Sequence, residues 1–271
     1  MKLVRPVAVP LCRVLVGTLL GALLGGCTSA HKAAHPTPSP SASAVSAGTV
    51  VLLASTQLRP AFDQLATQFA AAHPGVTVTA TYQGSQALAT AVQAGTQGDV
   101  FATETDPMAA LVTEGAVVSA TVQTFARNEL EIVVPVGNPK GIQGLADLAR
   151  PGVTVVLADP ALLAGRDAIA ALALAGVRVN PKSTVPAVAL LMTTVLSGNA
   201  DAGIAFHSDV VAGGSGVTGV ALPAGNRVDE TYRIAVLRNA PNAASAGAFV
   251  QFVRSEAGRA ILTAAGFVPG G

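Results

Sequence analysis

The 271 residues contain no tryptophan, two cysteines, two tyrosines and only 11% charged residues. Each scarcity excludes something. Lys+Arg (16) and Asp+Glu (15) nearly cancel, so the chain carries no basic footprint for nucleic acid. The cysteines are Cys12 and Cys27, both near the N-terminus. The remainder of the chain has no thiol for a disulfide, a metal site or a nucleophile. No Gly-x-Ser-x-Gly elbow and no HExxH occurs, so neither a hydrolase nor a zinc-protease signature is present. Beyond residue 27 no long uninterrupted apolar run appears, and no spanning helix is expected there. What is abundant is small aliphatic residues, within a hydrophobic content of 51%. That excludes global disorder and supplies one large core or two small ones.

The first 27 residues have the layout of an export signal. Lys2, Arg5 and Arg13 precede an apolar stretch, Val14 to Leu24, too short to cross a bilayer comfortably. Leu24-Gly25-Gly26-Cys27 follows and resembles a bacterial lipobox, whose cysteine is acylated and becomes the first residue of the mature chain. An ordinary secretory signal or a buried apolar helix are the alternatives. Cleavage after residue 26 removes three cations and takes the formal charge from +1 to −2. Residues 27–48 read as a flexible Ser/Pro/Ala tether. His31 and His35 lie in it and read as solvated rather than metal-binding.

From residue 49 the pattern alternates. Thr49–Ala54 is a buried strand, and Leu58, Phe62, Leu65 and Phe69 recur at helical spacing until His73-Pro74-Gly75. Strands at 76–82, 99–102, 129–136, 153–158, 202–206 and 232–237 alternate with helices at 85–95, 142–148, 164–176, 187–197 and 242–264. This predicts a layered α/β fold with parallel strands. A weak internal echo, GDVFA in one half and ADAGIAF in the other, suggests two similar units joined by hinge strands. Ligands of such sheets bind outside the carboxyl ends of the strands, which favours a cleft between the units.

Several segments together resemble the periplasmic or lipoprotein molybdate-binding proteins of ABC importers. They include VVLLASTQLRPAFDQLATQFAAAHPGV, YQGSQALATAVQAGTQGDVFATETDPM, NELEIVVPVGNP, VVLADPALLAGRDA and VLSGNADAGIAFHSDV. The resemblance implies a two-lobed, class II periplasmic-binding-protein-like α/β fold. It places residues 49–130 and 234–271 in lobe 1 and residues 131–233 in lobe 2. It implies capture of molybdate, and of tungstate too, for delivery to an ABC permease. No cofactor, no catalytic residue and no metal ligand is implied. The carrier would be a monomer held at the outer face of the cytoplasmic membrane through Cys27. A binding protein for sulfate or phosphate, or a surface lipoprotein without a transport role, is the competing reading.

In that family the anion is held by hydroxyls and by backbone N–H groups at helix starts, where unpaired donors favour an anion. The matching positions are Ser55, Gln57, Ser85, Ala164, Val188 and Phe206. Ser85 fits the family's second-loop serine. Ala164 and Val188 fall where backbone groups serve. Ser55 or Gln57 takes the first helix start, depending on where two inserted residues are placed. Phe206 stands where the family usually has a tyrosine, so one donor is lost. His207 replaces it only if its side chain turns inward, against strand alternation. Ser55 and Ser85 are also ordinary candidates for helix caps. Asp99 and Asp209 read as structural, because a carboxylate repels an oxyanion. Arg166 is either a charge for the site or a solvated helix residue. Gly213–Gly216 reads as a surface turn.

Overall fold

The computed structural model describes Val45 and residues 47–270. The signal, Cys27, His31, His35 and most of the tether lie outside the described residues. Residues 42–271 form one compact unit.

The first half is built on three parallel strands. Strand β1 (Gly48–Ser55) is followed by a 3-10 turn and helix α1 (Arg59–Ala72), then β2 (Val76–Gln83), α2 (Ser85–Gln93), β3 (Val100–Glu104) and α3 (Thr105–Thr113). Pro60 in the first turn of α1 costs no hydrogen bond there. The helix ends at His73, and Gly75 (φ 89°) turns the chain into β2. Strand β4 (Gln123–Pro135) then crosses into the second half. There follow β5 (Val155–Ala158), α4 (Leu163–Leu174), β6 (Ser183–Val185), α5 (Val188–Leu196), β7 (Ala202–Phe206), α6 (His207–Gly213) and β8 (Val217–Ala221). Strand β9 (Asp229–Val236) returns to the first half, and α7 (Ala243–Arg254), α8 (Glu256–Ala264) and β10 (Val268–Pro269) close the chain.

The strand order is β2-β1-β3-β9-β4-β7-β5-β6. The outer strands are parallel, as the alternation of strands and helices predicts. The middle is not: β9 and β4 run antiparallel to each other and to β3 and β7. An all-parallel sheet is therefore corrected to a mixed one. The reason is that a chain passing to the second half and back needs one strand in each direction. The first part of β4 pairs with β9 (Asn128↔Glu230) and the last part with β7 (Leu130↔Phe206).

The cores divide at the same place. One cluster draws only on residues 130–222, and the others on residues 50–126 and 232–267. The few aromatics are spent almost entirely on the first half. Phe62, Phe125 and Phe249 pack edge to face, with Phe62–Phe125 centroids at 5.5 Å, and Tyr232 meets Phe267 at 5.7 Å. The second core is aliphatic apart from Phe206.

The expected single helix over 242–264 is two helices. Ser255 ends α7 and caps α8, accepting a hydrogen bond from the Gly258 N–H at 3.2 Å. Helices α3 and α6 and the short strands β6 and β10 were not anticipated. Helix α6 begins directly at the end of β7, where no Gly or Pro marks the change.

Candidate functional site

The register brings the carboxyl ends of the parallel strands to one edge. In the first half Ser55 is opposite Gln83, and Glu104 is opposite Tyr232 of β9, which in turn is opposite Ala126 of β4. In the second half Ala158 is opposite Val185, and Phe206 is opposite Leu130. Both groups of strand ends therefore converge on residues 126–130 of β4. Helices α2, α4, α5 and α6 all start at this edge. Their first N–H groups have no partner within the helix.

Two direct bonds tie the first half to the second here. Asn128 on β4 donates through Nδ2 to the Ser208 hydroxyl at 2.8 Å, and the Ser208 N–H donates to Asn128 Oδ1 at 3.3 Å. Asn128 is fully buried and Ser208 nearly so.

Ser55 is buried, and its hydroxyl does not cap the turn that follows. It donates instead to Glu104 Oε1 at 2.8 Å, while Thr103 donates to the other carboxylate oxygen at 2.8 Å. Gln57 is half-buried, and its side-chain oxygen accepts from the hydroxyl of fully buried Tyr232. That contact leaves the NH2 end of Gln57 as the outward donor. Ser85 is half-buried and is the first residue of α2, with Gly84 in the cap position. The cap reading fails for both serines on this geometry. Val188 opens α5 and is half-buried.

Ala164 is in the first turn of α4 and fully buried. The next residue shows how closely this turn is held: a Cβ on Gly165 would lie 2.2 Å from the Asp159 carbonyl oxygen. Only glycine permits that approach of α4 to the end of β5.

Phe206 is fully buried in the second core. Its backbone N–H donates to Asp209 Oδ2 at 3.1 Å. His207 does not turn inward to replace the missing hydroxyl; its Nδ1 lies 3.1 Å from Glu131 Oε1 and its side chain is half-buried. Asp99 is structural, as its position suggests. It is fully buried and accepts from the N–H groups of Val51 (2.8 Å) and Asn242 (2.7 Å). Arg166 is neither free nor simply solvated. It contacts Asp167 Oδ1 at 3.2 Å and Glu230 Oε1 at 3.5 Å.

Sequence reasoning missed the carboxyl groups. Glu104, Asp167 and Glu230 gather where the halves meet, with Asp167 only 4% exposed. They come from three distant segments, so no spacing betrays them. Burial pushes Glu230 up to about 8, helped by the neighbouring carboxyls of Asp167 and Glu104 and opposed by Arg166. Burial also raises Asp167. Among the described residues no group of three or more His, Cys, Asp or Glu is arranged to hold a metal ion. A cavity of about 740 Å³ lies between α4 and the end of β5, lined by Leu157, Ala158, Pro160, Ile169, Leu172 and Val179.

The sequence profile of bacterial extracellular solute-binding proteins matches residues 50–268. Molybdate-binding protein ModA of Mycobacterium tuberculosis, and that of Mycobacterium bovis, is 36% identical over 221 residues, covering 82% of this chain and 85% of the relative. Among solved structures, the substrate-binding domain of a putative molybdenum ABC transporter from Clostridium difficile superposes with a TM-score of 0.70. It shares 22% identity, covering 81% of this chain and 97% of that one. The sulfate-binding protein SubI of Mycobacterium tuberculosis gives 0.66 at 22% identity, covering 82% and 86%. These two establish the shared two-lobed fold.

Asp209 yields a pH test. Burial, partly offset by the Phe206 N–H bond, raises its carboxyl from 3.8 to about 6. Between those values the folded chain holds a proton that the unfolded chain has released. The stability it contributes is therefore largest below pH 4 and declines as pH rises through about 6, by up to about 3 kcal/mol. Urea unfolding of the wild type and Asp209→Asn from pH 4 to 7 should show this decline in the difference between them. A constant difference would refute it.

Proposed function

Because the chain belongs to the bacterial extracellular solute-binding proteins, we propose that it captures molybdate and delivers it to the permease of an ABC importer. The supporting observation is the edge at residues 126–130. There the starts of α2, α4 and α5 and the side chains of Ser55, Gln57 and Ser85 come from both halves of the molecule. Such a site offers neutral donors that do not need Lys or Arg. It binds and releases, with no bond made or broken. The 36% identity to ModA over most of both chains favours molybdate among tetrahedral dianions.

Discrimination rests on size. Molybdate and tungstate are larger than sulfate, and a pocket of their radius leaves sulfate underbonded. Tungstate is therefore a second ligand. Gln57 takes over the donor role of a helix-start serine, with Tyr232 fixing its amide. The carrier works outside the cytoplasmic membrane, anchored through acylated Cys27. Among the described residues no helix is long and apolar enough to cross a membrane.

Calorimetric titration of residues 42–271 at pH 6.5 should show heat with molybdate and tungstate, and weaker binding of sulfate and phosphate. Ser85→Ala should lose about 10- to 100-fold in molybdate affinity, as expected for a hydrogen bond to a charged group. Absence of heat with all four anions contradicts the oxyanion reading. Preference for sulfate or phosphate overturns the named ligand only. Phe206→Tyr should not tighten binding if the ring stays in the second core; tighter binding would show that position 206 still faces the anion. Cys27→Ser should move the full-length protein from the membrane fraction to the soluble extracytoplasmic one. Retention at the membrane would exclude the anchor.

A further inference from the structure

A site for a dianion should shun carboxylates, yet this one has three within its walls. Glu104 accepts the hydroxyl hydrogen of Ser55, one of the proposed anion contacts, at 2.8 Å. Glu230 lies two residues before Tyr232 on β9, hence on the same face of the strand, and Tyr232 reaches Gln57. Asp167 comes from the first turns of α4, in the other half. The charged and titratable groups facing Asp167 and Glu230 are Arg166 on α4, Glu104 on β3 and the carboxyl partner itself. Tyr232 senses both Glu104 and Glu230 and is raised well above its ordinary range by burial.

Arg166 alone does not satisfy this group. It reaches one oxygen of each acid, and its side chain is 64% exposed. Asp167 Oδ2 is buried with no donor. Two carboxylates facing each other have no hydrogen to share, whereas one proton turns the pair into a donor and an acceptor. The cheapest way to fill the orphaned oxygen is a proton, not a cation.

We propose that the oxyanion binds together with a proton held between Asp167 and Glu230, so that this acid pair couples anion affinity to pH. The inference rests on the oxyanion reading above. A dianion arriving beside the pair disfavours its doubly ionised form and favours the singly protonated one. In the empty protein Glu230 already holds its proton below about pH 8. Binding in that range takes up little. Above it, the empty pair is doubly ionised, and the anion must bring a proton in from solvent. By linkage, affinity is flat at pH 6 to 7 and falls toward 10-fold per pH unit above pH 8. The falling limb is the signature of one proton.

The test is calorimetric titration of residues 42–271 with molybdate from pH 6.5 to 9.5. At pH 9 it is run in two buffers of different ionisation heat. The expected results are a Kd that rises about 10-fold per unit at the alkaline end and a buffer-dependent heat equal to about one proton taken up. Glu230→Gln, which cannot ionise, should lose both the slope and the proton. Asp167→Asn serves as the second variant, with the same expectation. Molybdate heat at pH 6.5 with a flat Kd to pH 9.5 and buffer-independent heats overturns the proton coupling and leaves the oxyanion reading intact. So does a variant that weakens binding equally at every pH while keeping the slope. No heat at pH 6.5 overturns both.

Discussion

One continuous strand governs this architecture. Strand β4 begins in the first sheet, paired with β9 and β10, and ends in the second, paired with β7 and β8. Because its hydrogen-bond ladder fixes register on both sides, the carboxyl ends of two separate sets of parallel strands meet at residues 126–130. Helices packed onto parallel strands start where the strands end, so the same register also gathers four helix N-termini. The site is a consequence of pairing, and the buried Asn128–Ser208 contact fastens the junction at its centre.

The electrostatics of that junction follow from the composition. A chain with 11% charge has few cations to place, and Arg166, beside the site, is engaged by two acids. Attraction for an anion must then come from dipoles: helix starts, hydroxyls and an amide. Tyr232 holds the amide oxygen of Gln57 and leaves its NH2 as a donor, whereas the Ser55 hydroxyl gives its one hydrogen to Glu104. A neutral donor aimed in advance, as Gln57 is, loses little freedom on binding. The buried carboxyls work against the anion unless they carry protons, so the charge state of this wall becomes part of the binding equilibrium.

Most of the outer fold was legible in the sequence. Buried strands such as VVLLA and the helical recurrence of Leu58, Phe62, Leu65 and Phe69 are local signals, and they land where periodicity puts them. The antiparallel middle was not legible, because pairing partners seventy or more residues apart leave no trace in local pattern. Helix α6 was missed since its N-terminus is capped by Asp209, three residues on, rather than by the residue before it. The resemblance named the proposed anion contacts, and Ser85 stands at a helix start as it implies. It could not show that Ser55 is bonded to Glu104, that Phe206 is withdrawn into the second core, or that Asp167 and Glu230 face each other. Those are properties of three-dimensional neighbours, not of motifs.

The central claim is that the anion sits at the meeting point of the strand ends. A crystal structure of residues 42–271 grown with molybdate, with anomalous data at the molybdenum edge, tests it most directly. The account predicts one strong peak at the junction, its oxygens about 3 Å from Ser55 or Ser85 and from N–H groups opening α5. A peak in the apolar cavity beside α4, or none in crystals soaked at saturating molybdate, would contradict it.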